Sequence, residues 1–431
     1  MQPGARIKAA IELLVEVLHR HRPAASALSD WGKSHRFAGS GDRAAIGNLL
    51  YDALRRRRSL AAQMGADTPR AIVLAAAPRA LGLTAAAVAA SADGSRHAVE
   101  PLSEGERVGL SRKLAPDAPG PVRGDYPDWL EGALTRAFGA TAAEEGAALA
   151  RRAPVDLRVN TLKADREKVL TALARFAPLP TPFSALGVRL PAPEGPARQP
   201  NVEAENGHGR GWYEVQDEGS QIAALMACAA PREQVLDICA GAGGKTLAFA
   251  AIMRNTGQIY AYDGEAARLR PIFERLKRAD VRNTQVLRAG DTAALTALGA
   301  RFDLVFVDAP CTGTGAWRRR PDAKWRLRPI NLAQREQEQS ALLEAAAQLV
   351  NPGGRLVYAT CSVLPQENGD RIAAFLANHS GFATLPWRES WRRGIGGELP
   401  VSADGSEATL LLTPARHGTD GFFIAVLGRR Q

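Results

Sequence analysis

Two cysteines stand where two predicted strands end, and their positions indicate covalent chemistry. Cys311 ends the motif 308–311 after one apolar run, and Cys361 follows a second apolar run near residue 358. The carboxyl ends of neighbouring parallel strands meet at one edge of a sheet, where α/β proteins bind their ligands. Two thiols at that edge, beside a glycine-rich turn, predict a nucleophilic step coupled to a cofactor. The sequence therefore predicts an enzyme.

The glycine-rich turn follows the predicted strand Val235–Ile238 and would let a ligand approach the backbone closely. The dinucleotide fingerprint would need a glycine in place of Thr246, and the phosphate-binding P-loop would need one in place of Cys239. The turn therefore predicts a nucleotide-like ligand without matching either motif. It consists of Cys239, Ala240, Gly241, Ala242, Gly243, Gly244 and Lys245.

Three aspartates after the next predicted strands narrow the class of ligand. Asp263 comes about 20 residues after the glycines, where a carboxylate accepts hydrogen bonds from ribose hydroxyls. Asp291 is placed to contact an adenine, and Asp308 ends the strand that leads to Cys311. This set suits S-adenosyl-L-methionine (SAM), which has a ribose, an adenine and an ammonium but no phosphate. A P-loop ATPase stays an alternative, because Leu304–Asp308 also resembles a strand that presents a magnesium-binding aspartate.

A thiol has a definite use in transferring a methyl group to a pyrimidine. The C5 carbon is a weak nucleophile until a thiolate adds to C6, after which C5 can attack the sulfonium methyl group. A base then removes the C5 proton and the cysteine leaves, while an acid, for which Asp308 is the candidate, hydrogen-bonds near N3 or the exocyclic amine. The target base must leave its stack to reach such a site. Cys228 and Cys239 are expected to be packed and inert.

The composition limits the function classes. The chain has 431 residues, enough for two or three domains, and its net charge of +10 favours a polyanionic partner such as nucleic acid. The four cysteines form no CxxC pair and no histidine stands at metal spacing, so we expect no metal. The chain contains no apolar run of about 18 residues or more, so we expect no membrane span. The first segment is amphipathic and does not have the pattern of a basic leader followed by an apolar core, so we expect a cytoplasmic protein.

Three regions with different sequence patterns must position the two cysteines, the glycine-rich turn and the aspartates. Residues 1–140 predict a helical domain, residues 141–212 a small α+β subdomain or linker, and residues 213–431 the catalytic domain. From residue 213 strands and helices alternate, which is typical of a parallel α/β sheet. Five parallel strands followed by a hairpin, over 408–412 and 422–427, are the layout of a class I, Rossmann-like methyltransferase. The five strands are predicted at Val235–Ile238, Gln258–Tyr262, Gln285–Leu287, Phe302–Val307 and Arg355–Ala359.

Within the helical region the pattern predicts helices over 7–18, 43–60 and 129–150. Asp42 is the candidate N-cap of the helix Arg43–Leu60. The run Arg55–Arg58 near its end is expected to be a solvated helix terminus, with binding to RNA phosphates as the alternative. Residues 100–127, rich in proline, glycine and charge, are interpreted as a connector.

The chain resembles the RsmB/Nop2/Sun family of RNA (cytosine-5) methyltransferases over residues 150–430. The family usually has Ala-Pro-Gly-Gly-Lys in the cofactor turn, whereas this chain has no proline there, so we expect a looser turn that still binds the cofactor. The helical N-terminus is similar to the NusB-like RNA-binding domain of the RsmB branch, mainly at Phe37 and over 42–55. The resemblance implies that residues 1–140 bind RNA and that residues 141–212 bind RNA or act as a linker. The motifs that carry the resemblance lie at 158–161, 216–220, 308–315, 320–325, 358–362, 367–368 and 417–423.

The resemblance implies specific roles. Cys361 would be the nucleophile, Cys311 would assist product release, and residues 239–245 with Asp263, Asp291 and Asp308 would bind SAM. The substrate would be a cytosine in RNA, most directly small-subunit (16S) ribosomal RNA, and the chain is expected to act as a monomer. Transfer RNA as substrate, and a non-catalytic ribosome-assembly factor that binds RNA, stay alternatives.

A basic and aromatic segment follows the Cys311 motif. Its residues suit phosphate contact and base stacking, and an exposed basic loop is the alternative interpretation. The residues are Trp317, Arg318, Arg319, Arg320, Lys324, Trp325 and Arg326.

Overall fold

The computed structural model describes residues 1–431, which divide into two compact units. The first comprises residues 1–153, 193–199 and 316–328, and the second comprises residues 154–192, 200–315 and 329–431. The division of the chain at residues 140 and 212 stays a prediction. The first ten helices, all in the first unit, are α1 (Pro3–His19), α2 (Ala24–Ser34), α3 (Ser40–Arg55), α4 (Arg57–Met64), α5 (Pro69–Leu81), α6 (Ala85–Ser91), α7 (Glu104–Ser111), α8 (Gly120–Gly124), α9 (Glu131–Phe138) and α10 (Ala142–Leu149).

The predicted helix over 43–60 is two helices. Helix α3 begins after Gly39, so Asp42 lies in its first turn and is not the N-cap that the sequence predicted. Its carboxylate instead pairs with the Met1 ammonium at 3.0 Å and with Arg6 at 2.8 Å, two groups that are distant in sequence. The break at Arg56 ends α3 and starts α4, which lets both helices pack on α5.

Two other helical predictions are also corrected. Residues 100–127 are not only a connector, because Ser103 and Glu106 form a reciprocal capping box that starts α7. This Ser-x-x-Glu spacing is a recognised start signal that the composition of the segment obscured. The single helix predicted over 129–150 is interrupted at Gly139, which has φ of 57°.

The run Arg55–Arg58 is paired within the helical unit and is not a solvated terminus. The Arg55 side chain is only 12% exposed and pairs with Asp52 at 3.1 Å. Arg57 pairs with Asp67 at 3.0 Å, and Arg58 pairs with Asp128 at 2.5 Å. These charges therefore stabilise contacts inside the unit.

The segment 316–328 is built into the helical unit, so the prediction of an RNA-stacking loop there is wrong for its buried members. Trp317, Arg318 and Lys324 are buried. The Lys324 ammonium donates to the Arg55 carbonyl oxygen at 2.8 Å, and Trp325 Nε1 donates to the Leu54 carbonyl oxygen at 2.6 Å. Because α3 ends at these carbonyls, the segment satisfies acceptors that the helix itself cannot.

Lys324 makes a testable contribution to stability. Burial lowers its pKa from 10.5 to about 8, which the charge of Asp125 only partly offsets. Between pH 8 and pH 10.5 the unfolded chain therefore binds more protons than the folded chain, so this lysine makes stability rise with pH. We expect the unfolding free energy of the wild type, relative to that of Lys324→Met, to rise by about 3 kcal/mol from pH 7 to pH 10.5.

Chemical denaturation at several pH values measures this difference. Lys33→Met is the matched control, because the Lys33 side chain is 75% exposed. A difference for Lys324→Met that stays constant with pH would contradict the prediction.

The remaining elements complete the first unit and form the second. The strands are β1 (Val155–Val159), β2 (Leu179–Pro180), β3 (Gly187–Leu190), β4 (Tyr213–Val215), β5 (Gln234–Asp237), β6 (Gln258–Ala261), β7 (Thr284–Val286), β8 (Phe302–Asp308), β9 (Val350–Thr360), β10 (Phe382–Leu385), β11 (Leu410–Leu412) and β12 (Phe422–Arg429). The helices are α11 (Arg166–Ala172), α12 (Asn206–Gly209), α13 (Glu218–Met226), α14 (Gly244–Ile252), α15 (Ala266–Leu269), α16 (Ile272–Ala279), α17 (Thr292–Thr296), α18 (Pro321–Arg326), α19 (Pro329–Ala347), α20 (Gly369–Asn378), α21 (Trp387–Gly394) and α22 (Pro414–His417).

The second unit contains a small sheet and a large one. The small sheet is antiparallel, in the order β2-β3-β1-β4, and packs its buried apolar residues against α11. The large sheet has the order β10-β12-β9-β8-β5-β6-β7, with β9 to β7 parallel and β12 antiparallel to β9.

The five predicted parallel strands and the β11–β12 hairpin are confirmed. The edge strand β10 was not predicted, because it has only four residues and only Phe382 among them is buried. The strand order reverses between β5 and β8, and ligands of such sheets bind outside the carboxyl ends of the strands at this point.

None of the helices has the length and apolar character that spanning a membrane requires.

Candidate active site

The glycine-rich turn joins β5 to α14 beside the reversal of the strand order. Gly241 and Gly243 have φ of 50° and 86°, left-handed conformations that favour glycine. The Asp263 carboxylate, which follows β6, accepts hydrogen bonds from the Gly241 amide at 3.0 Å and from the Glu265 amide at 2.9 Å. The turn is therefore fixed from the neighbouring strand without a proline.

Replacement of Gly243 by alanine is expected to destabilise this turn. A Cβ at that position would lie 2.6 Å from Ile272 Cγ1, and its φ is unfavourable for alanine. We expect the free energy of unfolding to fall by about 1–3 kcal/mol in a denaturant titration. Gly264→Ala is the control, because nothing lies within 4 Å of a Cβ there. Equal stability of the two variants would show that the turn accommodates a side chain.

Arg158 in β1 supports the same turn from the small sheet. Its Nη1 donates to the Gly244 carbonyl oxygen at 2.6 Å and to Gln216 Oε1 at 2.5 Å. Burial lowers the pKa of Arg158 to about 10, which still leaves the guanidinium charged at neutral pH. The start of α14 is thus held from both sides, by Asp263 and by Arg158.

Lys245 joins the turn to the end of β8. Its Nζ lies 2.8 Å from Asp308 Oδ2, and the ammonium also lies 5.0 Å from the centre of the Phe422 ring. The lysine is buried, whereas 34% of the Asp308 side chain is exposed. Asp308 therefore presents a carboxylate to the site while the lysine holds its orientation.

The two predicted catalytic thiols lie side by side. Cys311 Sγ and Cys361 Sγ are 3.4 Å apart, and both residues are half-buried. The pKa of the Cys311 thiol is raised well above its usual range by the hydrogen bond with Cys361, by burial, and by the negative charges of Cys361 and Glu367. Cys311 consequently keeps its proton at neutral pH and can donate it to Cys361.

Hydrogen bonds connect the turns that carry the thiols. The Gly315 amide donates to the Cys361 carbonyl oxygen at 2.9 Å, and the Thr314 and Ser362 hydroxyls are 3.0 Å apart. A side chain at Gly315 is excluded, because a Cβ would lie 2.1 Å from the Gly421 carbonyl oxygen. A Cβ at Gly421 would in turn lie 2.6 Å from Gly315 Cα, so the close approach of these two positions explains both glycines.

Glu367 lies between the same two turns and is fully buried. Its carboxylate accepts hydrogen bonds from the Thr312 amide at 2.8 Å, from the Thr312 hydroxyl at 2.5 Å and from the Ser362 hydroxyl at 2.5 Å. Gln339 Nε2 in α19 donates a fourth hydrogen bond at 3.0 Å. One carboxylate thus contacts the residue that follows each thiol.

The remaining predicted residues have simpler surroundings. Asp291 caps α17 and accepts a hydrogen bond from the Ala294 amide at 2.9 Å. Burial raises the pKa of Cys228, and burial with the nearby carboxylates raises the pKa of Cys239 well above its usual range. The raised pKa favours the protonated, less nucleophilic form of both thiols, and their inertness stays a prediction.

Sequence reasoning did not foresee what Arg158 and Glu367 contact. Both residues were recognised in motifs, but their partners lie 58 to 86 residues away for Arg158 and up to 55 residues away for Glu367. For Arg158 the only signal in the sequence was a polar residue inside an apolar strand. For Glu367 it was a polar residue shortly after the Cys361 motif. Such signals do not indicate a partner.

The order of the large sheet and the turn after β5 define a class I, Rossmann-like methyltransferase domain. A family model described as "16S rRNA methyltransferase RsmB/F" matches residues 224–428, and a model of the RsmF/B-like ferredoxin-like domain matches residues 126–194. The chain belongs to the RsmB/F methyltransferase family. The helical N-terminal region is consistent with the NusB-like domain expected there.

Named relatives agree with this assignment. "Probable ribosomal RNA small subunit methyltransferase B" of Synechocystis is 35% identical over 70% of this chain, and "Ribosomal RNA small subunit methyltransferase B" of Sodalis glossinidius is 34% identical over 70%. The matched region spans 66% of the length of each relative. The crystal structure of PH0851 covers 99% of both chains with a TM-score of 0.72 and 26% identity.

Proposed function

We propose that this protein uses SAM to form 5-methylcytidine in small-subunit ribosomal RNA, through a covalent bond between Cys361 and C6 of the target base. The pair of thiols, 3.4 Å apart and with Cys311 following the strand that ends at the partly exposed carboxylate of Asp308, is the observation that carries the proposal. Methylation at an exocyclic amine or a ribose hydroxyl has no use for two such thiols. The names of the relatives and of the family model support ribosomal RNA as the substrate.

The residues of the turn fit SAM. Asp263 has two of its carboxylate lone pairs engaged by backbone amides, which leaves others for ribose hydroxyls. A Cβ at Gly241 would have no heavy atom closer than Asp263 Oδ2 at 4.0 Å, so the backbone is open to a ligand there. Residues 239–245, Asp263, Asp291 and Asp308 would hold the cofactor, which supplies an electrophilic methyl group when bound.

Each of the side chains at the site would have a different role in the reaction of the target base. The thiolate of Cys361 adds to C6, which makes C5 nucleophilic, while Asp308 hydrogen-bonds near N3 or the exocyclic amine. Lys245 keeps the Asp308 carboxylate in place through the bond of 2.8 Å. After C5 is methylated, a base removes the C5 proton and the Cys361–C6 bond breaks. Cys311, whose sulfur contacts Cys361, assists this last step.

The substrate must be an RNA in which the target cytosine can leave its stack. The net charge of +10 supports binding to a polyanion. Transfer RNA, the alternative substrate, would undergo the same chemistry, and the two functions differ only in the RNA that is bound.

Methyl transfer from labelled SAM to unmodified small-subunit ribosomal RNA tests the proposal, followed by nucleoside analysis. Labelled 5-methylcytidine is the expected product. Label in another nucleoside would contradict the assignment of the reaction. Label that appears only with transfer RNA would contradict the assignment of the substrate, and cofactor binding without transfer to any RNA would favour an assembly factor.

A further inference from the structure

Glu367 combines complete burial with contacts to both thiol-bearing turns. Two of its hydrogen bonds come from Thr312, next to Cys311, and one comes from Ser362, next to Cys361. All of its hydrogen-bond donors are neutral, so no basic side chain cancels its charge at this point. A buried carboxylate in such surroundings acts on nearby groups with little screening.

The backbone of Glu367 is held by hydrogen bonds as well. The Tyr358 hydroxyl donates to the Glu367 carbonyl oxygen at 2.7 Å from inside β9. Asn368, the next residue, donates to the Ser362 carbonyl oxygen at 2.9 Å and accepts from the Thr360 hydroxyl at 2.6 Å. The carboxylate therefore cannot move away from the two thiol-bearing turns without breaking contacts of the Glu367 backbone and of Asn368.

We propose that Glu367 is a positioning residue that sets the separation of the two thiols and keeps their shared proton on Cys311. This inference rests on the proposed function, because it assigns Cys361 as the attacking thiol. Negative charge close to Cys311 opposes a second negative charge there. Cys311 then remains the donor in the S–H···S contact, and the proton lost on activation passes from the half-buried Cys361 to solvent water.

Other ionisable groups face this pair. The phenol of Tyr358 lies in β9, and its pKa is raised well above its usual range by burial and by the charges of Cys311 and Glu367. Arg371 in α20 is held by the Gln366 carbonyl oxygen at 2.9 Å and by the Ser340 hydroxyl at 3.0 Å. Asp308 and Lys245 form their own ion pair. Glu367 is the carboxylate bonded directly to both turns.

The pH dependence of thiol alkylation tests the electrostatic part without RNA or cofactor. The full-length protein is treated with iodoacetamide across a pH series, and modification of Cys311 and Cys361 is followed by peptide mass spectrometry. Glu367→Gln removes the charge and nearly preserves the shape. We expect the midpoint for Cys311 to fall by about one pH unit. An unchanged midpoint in a variant with a native circular dichroism spectrum overturns the inference.

Gln339→Leu is the matched control for a lost hydrogen bond. It removes the donor to Glu367 at 3.0 Å and the donor to the Pro310 carbonyl oxygen at 2.9 Å but leaves the charge of Glu367, so the Cys311 midpoint should not fall. An equal fall in both variants would mean that general loosening of the site, and not the charge, sets the midpoint. That result also overturns the inference.

Glu367→Asp tests whether Glu367 positions the two thiols. This test is valid even if Glu367→Gln does not fold. The shorter side chain keeps the charge but cannot reach both Thr312 and Ser362. We expect the Cys311 midpoint to stay within about 0.3 pH units of the wild type while methyl transfer falls by about 10-fold or more. Full transfer by this variant overturns the positioning role. If the wild type methylates no RNA, the proposed function fails, whereas the alkylation series still decides the role of the charge.

Discussion

Cys361→Ala is expected to abolish methyl transfer while leaving cofactor binding intact. The thiol is the group that would add to C6, and without the adduct C5 stays too weakly nucleophilic to accept the methyl group. We expect the rate of transfer to fall by on the order of 10³-fold or more. The cofactor turn is held by Asp263 and Arg158, neither of which hydrogen-bonds to Cys361. Single-turnover transfer to ribosomal RNA and calorimetric binding of SAM measure the two effects.

Cys228→Ala is the matched control for this loss. That thiol donates to the Ser390 carbonyl oxygen at 3.5 Å, and burial raises its pKa, so its removal should leave the transfer rate nearly unchanged. Full activity of Cys361→Ala would refute the covalent mechanism. Loss of both transfer and SAM binding would instead point to a disturbed fold.

Cys311→Ala is expected to trap the RNA on the protein. If Cys311 assists elimination of Cys361, its removal slows the last step more than the first, and the methylated adduct accumulates. The neighbouring turn should survive the change, because Thr312 keeps both of its hydrogen bonds to Glu367. A band of reduced mobility on a denaturing gel, sensitive to ribonuclease, would report the adduct. We expect turnover to fall by about 10²-fold or more.

The double variant Cys311→Ala/Cys361→Ala separates the roles of the two thiols. It should give no band of reduced mobility, since no nucleophile remains. Adduct in the double variant would identify another attacking residue. Normal turnover and no adduct in Cys311→Ala would remove Cys311 from the mechanism.

The local patterns were enough to predict the catalytic framework. Strand β8 contains the apolar run 304–307 directly before Asp308, and its position in a parallel sheet follows from the alternation of strands and helices. The same reasoning correctly predicted that Cys311 and Cys361 would meet, because the carboxyl ends of neighbouring strands share one edge. Such predictions succeed where the periodicity of a segment determines its environment.

Predictions failed where distant contacts outweigh local composition. Lys324 and Trp317 belong to a segment whose charge indicated exposure, yet both are buried beside the end of α3. Asp42 has the residue type of an N-cap, but the Met1 ammonium and Arg6 determine its position. The partners of Glu367 come from three separate segments, and no local spacing relates them. Their pairing depends on how the chain packs, which periodicity does not encode.

The discontinuity of the helical unit has a consequence for biosynthesis. Residues 1–153 leave the ribosome first, but the contacts of Arg55 and Leu54 with residues 316–328 cannot form until that later segment has been translated. The nascent N-terminal helices must therefore wait, with the carbonyls at the end of α3 unpartnered, while strands β1 to β8 are synthesised. Deleting residues 154–431 would leave these helices without residues 316–328, so the carbonyl oxygens of Leu54 and Arg55 would lose the donors Trp325 and Lys324.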